Sequence, residues 1–324
     1  MTKTDVATGG TRSVLVIDSN RKQLGWITRI VRTVAPDAAA VERLDDLSAI
    51  DGRAVVVANY DGLSERERTR LFDATAGVRL VLLSAGAQGY HDLIPNLVAH
   101  GVANLVALNG AKRSADLAIT LHKLLGGDIF GLDKYFGWGV NLEAVTITSS
   151  ADAKPFVDRV TRRAQELDIH PRLIDQLALV ADELVSNALY NAPVDTSGRP
   201  RFAHLKRTTS VALGPGEQIS ARIGCDGTLF GLSVADSFGT LTRTHCLDYL
   251  VKGLRREVAP PAAEKGGAGL GLYLTFDSLN QLAVNIWAGQ STEVIGLIDV
   301  SGSYKDFCAK GKSFNLFLAP RDES

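Results

Sequence analysis

The chain carries only three cysteines, Cys225, Cys246 and Cys308, among its 324 residues. They are too few and too scattered for a zinc motif or a disulfide framework. They read instead as small buried hydrophobes in a reducing compartment. No apolar run approaches the ~20 residues that a membrane span needs. The opening "MTKTDVATGGTRS" lacks the apolar segment of a secretory signal. Neither sign of charge is in excess: 35 Lys and Arg face 36 Asp and Glu, a formal net charge of −1. That balance argues against a dedicated nucleic-acid binder. Internal repeats and low-complexity tracts are also missing. These absences lead us to expect a cytoplasmic protein with no membrane and no nucleic acid among its partners.

What is present is an ordinary globular composition, 45% hydrophobic and 22% charged, over a length that favours two domains. Residues 1–12 read as a disordered polar tail. "SVLVID" (13–18), "AVVVAN" (54–59), "VRLVLLSAG" (78–86) and "VANLVAL" (102–108) read as buried parallel strands, with a weaker strand near 38–44. Helical spacing fills the intervals, first at Leu24, Ile27, Ile30, Val31 and Val34. "SADLAITLHKLLGG" closes the series near residue 127. The alternation predicts a doubly wound parallel α/β domain over 13–127, with its ligand crevice at the carboxyl ends of the strands. Residues 128–150 mix glycines with aromatics and read as a packed connector. A second domain follows over 151–320.

The first domain resembles a response-regulator receiver. Of the acidic pair expected after the first strand, only Asp18 is present, followed by Ser19 and Asn20. Asn59 stands where the phosphoacceptor Asp belongs, and Asp61 lies two residues on. Ser84 matches the hydroxyl position. The expected Lys falls at Leu108 or Asn109, with Lys112 displaced along the chain. An amide does not accept a phosphoryl group as a carboxylate does, and an incomplete acidic pocket holds Mg2+ poorly. The resemblance implies a degenerate, unphosphorylated receiver-like module that serves as a scaffold or homodimerisation domain. Asp61 as acceptor in an altered register is the rival reading.

The second half contains the best helix of the chain, "PRLIDQLALVADELVSNALYNA" (171–192), with Pro171 in its first turn. Leu173, Leu177, Ala181, Leu184 and Ala188 form its apolar stripe. Glu183, Asn187 and Asn191, spaced by four, share another face. Alone they would read as a solvated edge. A hairpin follows around Asp226-Gly227, and its second strand delivers Asp236 to its end. An Asp in that position either caps the next segment or accepts a hydrogen bond from an exocyclic amine. Residues 240–265 are long and mixed, with Arg243, Lys252, Arg255, Arg256 and Lys265 outnumbering Asp248, Glu257 and Glu264. They lead into "GGAGLGLYLTF", a glycine-rich start to a helix, where backbone N–H groups and the helix dipole can hold phosphate.

In order, these segments are a helix with Glu-x-x-x-Asn, a strand ending in Asp, a basic lid, Gly-x-Gly-x-Gly and a helix. That order resembles the Bergerat-fold ATPases, the superfamily of gyrase, histidine kinases and MutL. The expected fold is therefore a two-layer α/β sandwich after the receiver-like domain. The resemblance implies ATP and Mg2+ as ligands. Asp236 and Gly239 would receive adenine, although the usual Asp-x-Gly-x-Gly is here Asp236-Ser237-Phe238-Gly239-Thr240. Asn187, assisted by Asn191, would offer its carbonyl to Mg2+. Glu183, with Asp182 beside it as the weaker candidate, would orient or deprotonate the nucleophile. Lys265 and the lid arginines would face the γ-phosphate, and Gly267, Gly269, Leu270 and Gly271 would cradle the phosphates.

A self-phosphorylating histidine kinase needs a two-helix hairpin bearing its His, and residues 127–150 leave no room for one. The second domain looks more like the anti-sigma-factor kinases, which phosphorylate Ser or Thr of a signalling protein partner. Two further readings stand beside that one: a catalytically inactive nucleotide-binding scaffold, and a plain ATPase.

Overall fold

The computed structural model describes residues 13–43, 50, 52–85, 90–108, 114–258 and 270–320. Contacts divide the chain into two compact units, Met1–Ser84 and Ala85–Ser324. Each is a mixture of helices and strands, so the chain is of the α/β class. Among the described residues, no helix is long and apolar enough to cross a membrane.

The first unit runs β1 (Val14–Ile17), α1 (Arg21–Arg32), β2 (Ala39–Val41), β3 (Val55–Asn59), α2 (Glu65–Ala74) and β4 (Arg79–Ser84). Its strands are all parallel in the order β2-β1-β3-β4, with Val16 opposite Val57 and Val57 opposite Val81. All five residues of β3 are buried, which is why its sequence is an unbroken apolar run rather than an alternating one. The helices start where side chains satisfy the first free N–H groups. Asn20 accepts from Lys22 N and Gln23 N, and Ser64 and Glu67 form a reciprocal capping box. Leu24, Ile27 and Val31 then bury one face of α1.

The second unit opens with α3 (Tyr90–Ala99), β5 (Asn104–Ala107) and α4 (Ser114–Gly126). Next come β6 (Glu143–Ile147), α5 (Ala153–Glu166), α6 (Pro171–Ser186), β7 (Ile219–Cys225) and β8 (Leu229–Asp236). It closes with α7 (Arg243–Val258), α8 (Leu270–Asp277), β9 (Gln281–Trp287), β10 (Ser291–Asp299), α9 (Tyr304–Ala309) and β11 (Ser313–Leu318). Seven strands form a mixed sheet in the order β5-β11-β9-β10-β8-β7-β6. Among the described residues of this unit, β9 and β11 run parallel and the other neighbouring pairs antiparallel. β5 and α4, which the periodicity attaches to the first domain, belong to this unit, and β5 lies antiparallel to β11 with Leu105 opposite Phe314. A pairing with the far end of the chain leaves no local trace in sequence.

Alternation along the strands separates two cores. Phe230, Leu232 and Val234 of β8 with Leu282, Val284 and Ile286 of β9 face a helical layer. In that layer α6 packs against α5 and α8, and α8 against α7. Ala283, Ile295, Leu297 and Phe317 point to the other face, where Ile129, Leu132 and Tyr135 of the connector cover them.

That second face hides a charge. Lys123 of α4 is 1% exposed. Its ammonium donates to Tyr135 Oη at 2.9 Å and Asn285 Oδ1 at 3.3 Å. It also lies over the rings of Tyr135 and Phe317. Asn285 Nδ2 in turn donates to Glu293 Oε2 at 2.9 Å, and the same oxygen accepts from Gly131 N. Burial pushes the Lys123 pKa down to about 7, against the pull of Glu293 and with a smaller push from Lys134. Between that value and the ordinary 10.5, the unfolded chain binds the extra proton, so stability rises with pH across this window. Lys123→Met removes the titrating group. The stability of wild type relative to this variant should climb from pH 7 to pH 10 by up to ~1.4 kcal/mol per pH unit, read by urea unfolding. A pH-independent difference would contradict the assignment.

Candidate functional site

In the first unit, polar side chains gather at the carboxyl ends of β1, β3 and β4. Asp18 is fully buried, and its Oδ2 accepts from Asn59 Nδ2 at 2.9 Å while its Oδ1 accepts from Asn20 N at 2.8 Å. Burial raises the Asp18 pKa, and the Asn20 and Asn59 bonds oppose that rise. Asn59 Nδ2 also reaches Gln23 Oε1 at 3.2 Å. Asp61 is exposed and accepts from Ser84 Oγ at 2.9 Å. The four residues singled out in sequence are thus drawn into two bonded pairs. An amide against a carboxylate is self-sufficient, whereas two carboxylates at this separation would need a cation or a proton. Asn109 and Lys112 lie outside the described residues.

In the second unit, the described residues among those expected to hold a nucleotide lie on the helical side of the sheet. Asp236 ends β8, is 8% exposed, and faces the same side as Val234. Its Oδ1 accepts from Phe238 N at 2.8 Å and Gly239 N at 3.0 Å, so the backbone folds back around the carboxylate. Burial raises the Asp236 pKa, and the N–H groups of Phe238, Gly239 and Thr292 counter it. Gly239 is required there. Its φ is +61°, and a Cβ would lie 2.2 Å from Trp287 O and 2.6 Å from Gln290 N.

Directly across the ladder from Asp236 stands Thr292 of β10. Cross-strand partners point to one face, so the hydroxyl shares the carboxylate's side of the sheet. Thr292 is 3% exposed and its Oγ1 has no hydrogen-bond partner. Buried hydroxyls are nearly always satisfied, and an orphan beside a buried acid invites a ligand or an ordered water. Nothing local in "STEVIGLIDV" marks this residue, because its place opposite Asp236 comes from register alone.

The helix read as continuous over 171–192 changes geometry. α6 ends at Ser186, and Asn187–Asn191 form a π turn, with Ala192 N donating to Asn187 O at 3.2 Å. The wider turn moves Asn191 off the strict four-residue register, and its Nδ2 donates to Asn187 Oδ1 at 2.9 Å. Insertions of this kind collect at functional sites. A carbonyl oxygen has two lone pairs, so Asn187 Oδ1 keeps one for a cation.

Glu183 is not free. Arg207 Nη1 donates to its Oε1 at 2.7 Å and Nη2 to its Oε2 at 3.0 Å, a bidentate pair. Its neighbour Asp182 is exposed. Arg207 sits in a loop that the sequence marks only by its basic residues.

Two contacts bring the separated segments together. Thr240 Oγ1, just past Asp236, donates to Ala192 O at 3.1 Å. Gly271, in the first turn of α8, lies so close to α6 that a Cβ there would stand 2.1 Å from Glu183 Oε2. Lys265, Gly267 and Gly269 lie outside the described residues, and Leu270 opens α8. Of the basic stretch before them, Arg243–Val258 is helical, as α7. A cleft of about 430 Å3 lined by Arg159, Arg162, Arg163 and Cys225 shares none of these residues. Its arginines are paired with Glu143 and Glu166. Among the described residues, no cluster of three His, Cys, Asp or Glu could hold a metal on its own.

No family model matches the chain, and no curated protein matches it. Among solved structures, a pilus assembly-related protein from Burkholderia pseudomallei K96243 is 16% identical, over 38% of this chain and 96% of that one, with a TM-score of 0.28. A GCN5-related glucosamine N-acetyltransferase region of a fungal multi-domain GH3 beta-N-acetylglucosaminidase is 8% identical. It covers 72% of this chain and 25% of that one, also with a TM-score of 0.28. Neither superposes closely enough to carry an argument.

The Asp18–Asn59 pair yields a direct test. Asn59→Asp exchanges a donor for a second carboxylate, so it should cost ~1–3 kcal/mol of stability at pH 7. The loss should shrink as the pH falls and one of the two acids takes up a proton, as urea midpoints across pH would show. An unchanged midpoint at pH 7 would mean that the two groups are not in contact.

Proposed function

We propose that the second unit is a Mg2+–ATP-binding module of the Bergerat type, in a signalling protein whose first unit is a degenerate receiver-like scaffold. One observation carries this reading. Residues 183–192, 236–240 and 270–271, far apart in sequence, meet on one side of the sheet through the Thr240–Ala192 bond and the Gly271–Glu183 contact.

The residues present suit such a ligand. An aminopurine edge offers an N–H donor beside a ring-nitrogen acceptor. Asp236 can take the first, and the orphan hydroxyl of Thr292 can donate to the second. An amine left unpaired on burial costs ~1–3 kcal/mol, so a binding site for this base needs such an acceptor. The chain also keeps glycine at 271, where α6 and the start of α8 come closest. Asn187, with Asn191 beside it, is the neutral oxygen donor suited to a cation already balanced by phosphates. Bound Mg2+ would neutralise phosphate charge; the protein's own part is to place the carbonyl and keep Glu183 within reach.

Transfer of phosphate to Ser or Thr of a partner protein is the second reading. It requires Glu183 as base. The bidentate pair with Arg207 instead holds the carboxylate as a neutralised acceptor, which favours binding without turnover in this conformation.

Calorimetric titration of the full chain with ATP, with and without Mg2+, tests the proposal. Wild type should bind, and Asp236→Asn should weaken binding about tenfold or more in both conditions. Asn187→Ala should abolish only the gain that Mg2+ provides. Because burial raises the Asp236 pKa, affinity should begin to fall on acidification above the ordinary carboxylate range. Absence of binding by wild type would overturn the reading.

A further inference from the structure

Among the described residues, the guanidinium of Arg207 has more N–H groups than its bonds to Glu183 use. Two of its five N–H groups bond Glu183. Its side chain is 43% exposed while that of Glu183 is 12% exposed. The pair leaves three of its N–H groups for another acceptor. Its backbone is tied down: the hydroxyl of Tyr190, buried in the π turn, lies 2.9 Å from Arg207 O and 2.8 Å from Thr209 O and shares its single proton between them. The side chain can swing while its root stays put.

The charge lies in an unusual place. Arg207 Nη2 is 3.7 Å from where a Cβ of Gly271 would be, beside the first turn of α8. A helix start carries partial positive charge, so an arginine there is held by Glu183 against the local field. An anion brought to this helix start would be drawn by both. It would also be repelled by Glu183 unless that charge stays balanced.

We propose that Arg207 is a phosphate-responsive latch on Glu183, paired with it when no terminal phosphate is present and turned toward the phosphate when one arrives. The inference rests on the nucleotide reading above and adds to it a way of telling a nucleoside triphosphate from a diphosphate. Pairing keeps Glu183 neutralised without a ligand. Turning Arg207 toward the phosphate loosens its hold on Glu183 while the guanidinium charge stays beside both groups.

The test is calorimetric titration of the full chain with Mg2+–ATP and Mg2+–ADP. Wild type is compared with Arg207→Ala, Arg207→Lys and Glu183→Gln, each first shown to unfold at an unchanged urea midpoint. Arg207→Ala leaves Glu183 facing the terminal phosphate unbalanced, so it should lose about tenfold in ATP affinity and no more than about twofold in ADP affinity. Glu183→Gln removes the competitor and should raise ATP affinity relative to ADP. Arg207→Lys, which keeps the charge but not the fork, should fall between wild type and Arg207→Ala. Equal changes for both nucleotides, or none, would overturn the latch and leave the nucleotide site standing. Should wild type bind neither nucleotide, the nucleotide reading fails and the latch with it. A variant with a lowered midpoint is set aside, and the ATP-to-ADP ratio of Glu183→Gln then decides.

Discussion

The second unit turns on a buried carboxylate. Asp236 emerges from β8 on the side of the sheet that faces the helices, where an unpaired charge is expensive. The chain meets that cost by wrapping Phe238 N and Gly239 N back onto Oδ1. The wrap demands positive φ at Gly239, which lies against the turn joining β9 to β10. It also sends Thr240 toward the end of the π turn, where its hydroxyl meets Ala192 O. One acid at one strand end thereby fixes the β9–β10 turn and the last turn of the helix that carries Glu183 and Asn187.

A common pattern joins the two units, each considered by itself. Each holds an acid of low exposure in direct contact with a partner from its own unit. Asn59 serves Asp18, and Arg207 serves Glu183. An amide partner is permanent, because it neither titrates nor carries charge. A guanidinium partner carries charge and is attracted by anions, which is the basis of the proposed latch. The proposed scaffold in the first unit and the proposed responsive site in the second differ in this one respect. On the opposite face of the second unit's sheet, Lys123, Asn285 and Glu293 form a third polar chain, which bonds the connector at Gly131.

Much of this was legible in the residues. The apolar runs at 13–18, 54–59 and 78–86 lie where β1, β3 and β4 lie, because strands covered on both faces need no alternation. Asp226-Gly227 does form the turn between β7 and β8, with Gly227 at φ +87° and Asp226 Oδ1 accepting from Thr228 N and Leu229 N. The spacing of Glu183, Asn187 and Asn191 was visible, but the π turn that alters it was not, since no residue type demands one. Thr292 and Arg207 escaped for different reasons. The first is placed by strand register with Asp236, and the second by a loop held at the hydroxyl of Tyr190. β5 joins β11 from the far end of the chain, a pairing that periodicity does not encode.

The central claim is that 183–192, 236–240 and the start of α8 form one ligand site. Amide hydrogen exchange of the full chain, with and without saturating Mg2+–ATP, addresses it most directly. The account predicts slowed exchange in the π turn, at Phe238 and Gly239, and in the first turn of α8, all at the same nucleotide concentration. Protection confined to other segments, or no protection while nucleotide is demonstrably bound, would contradict it.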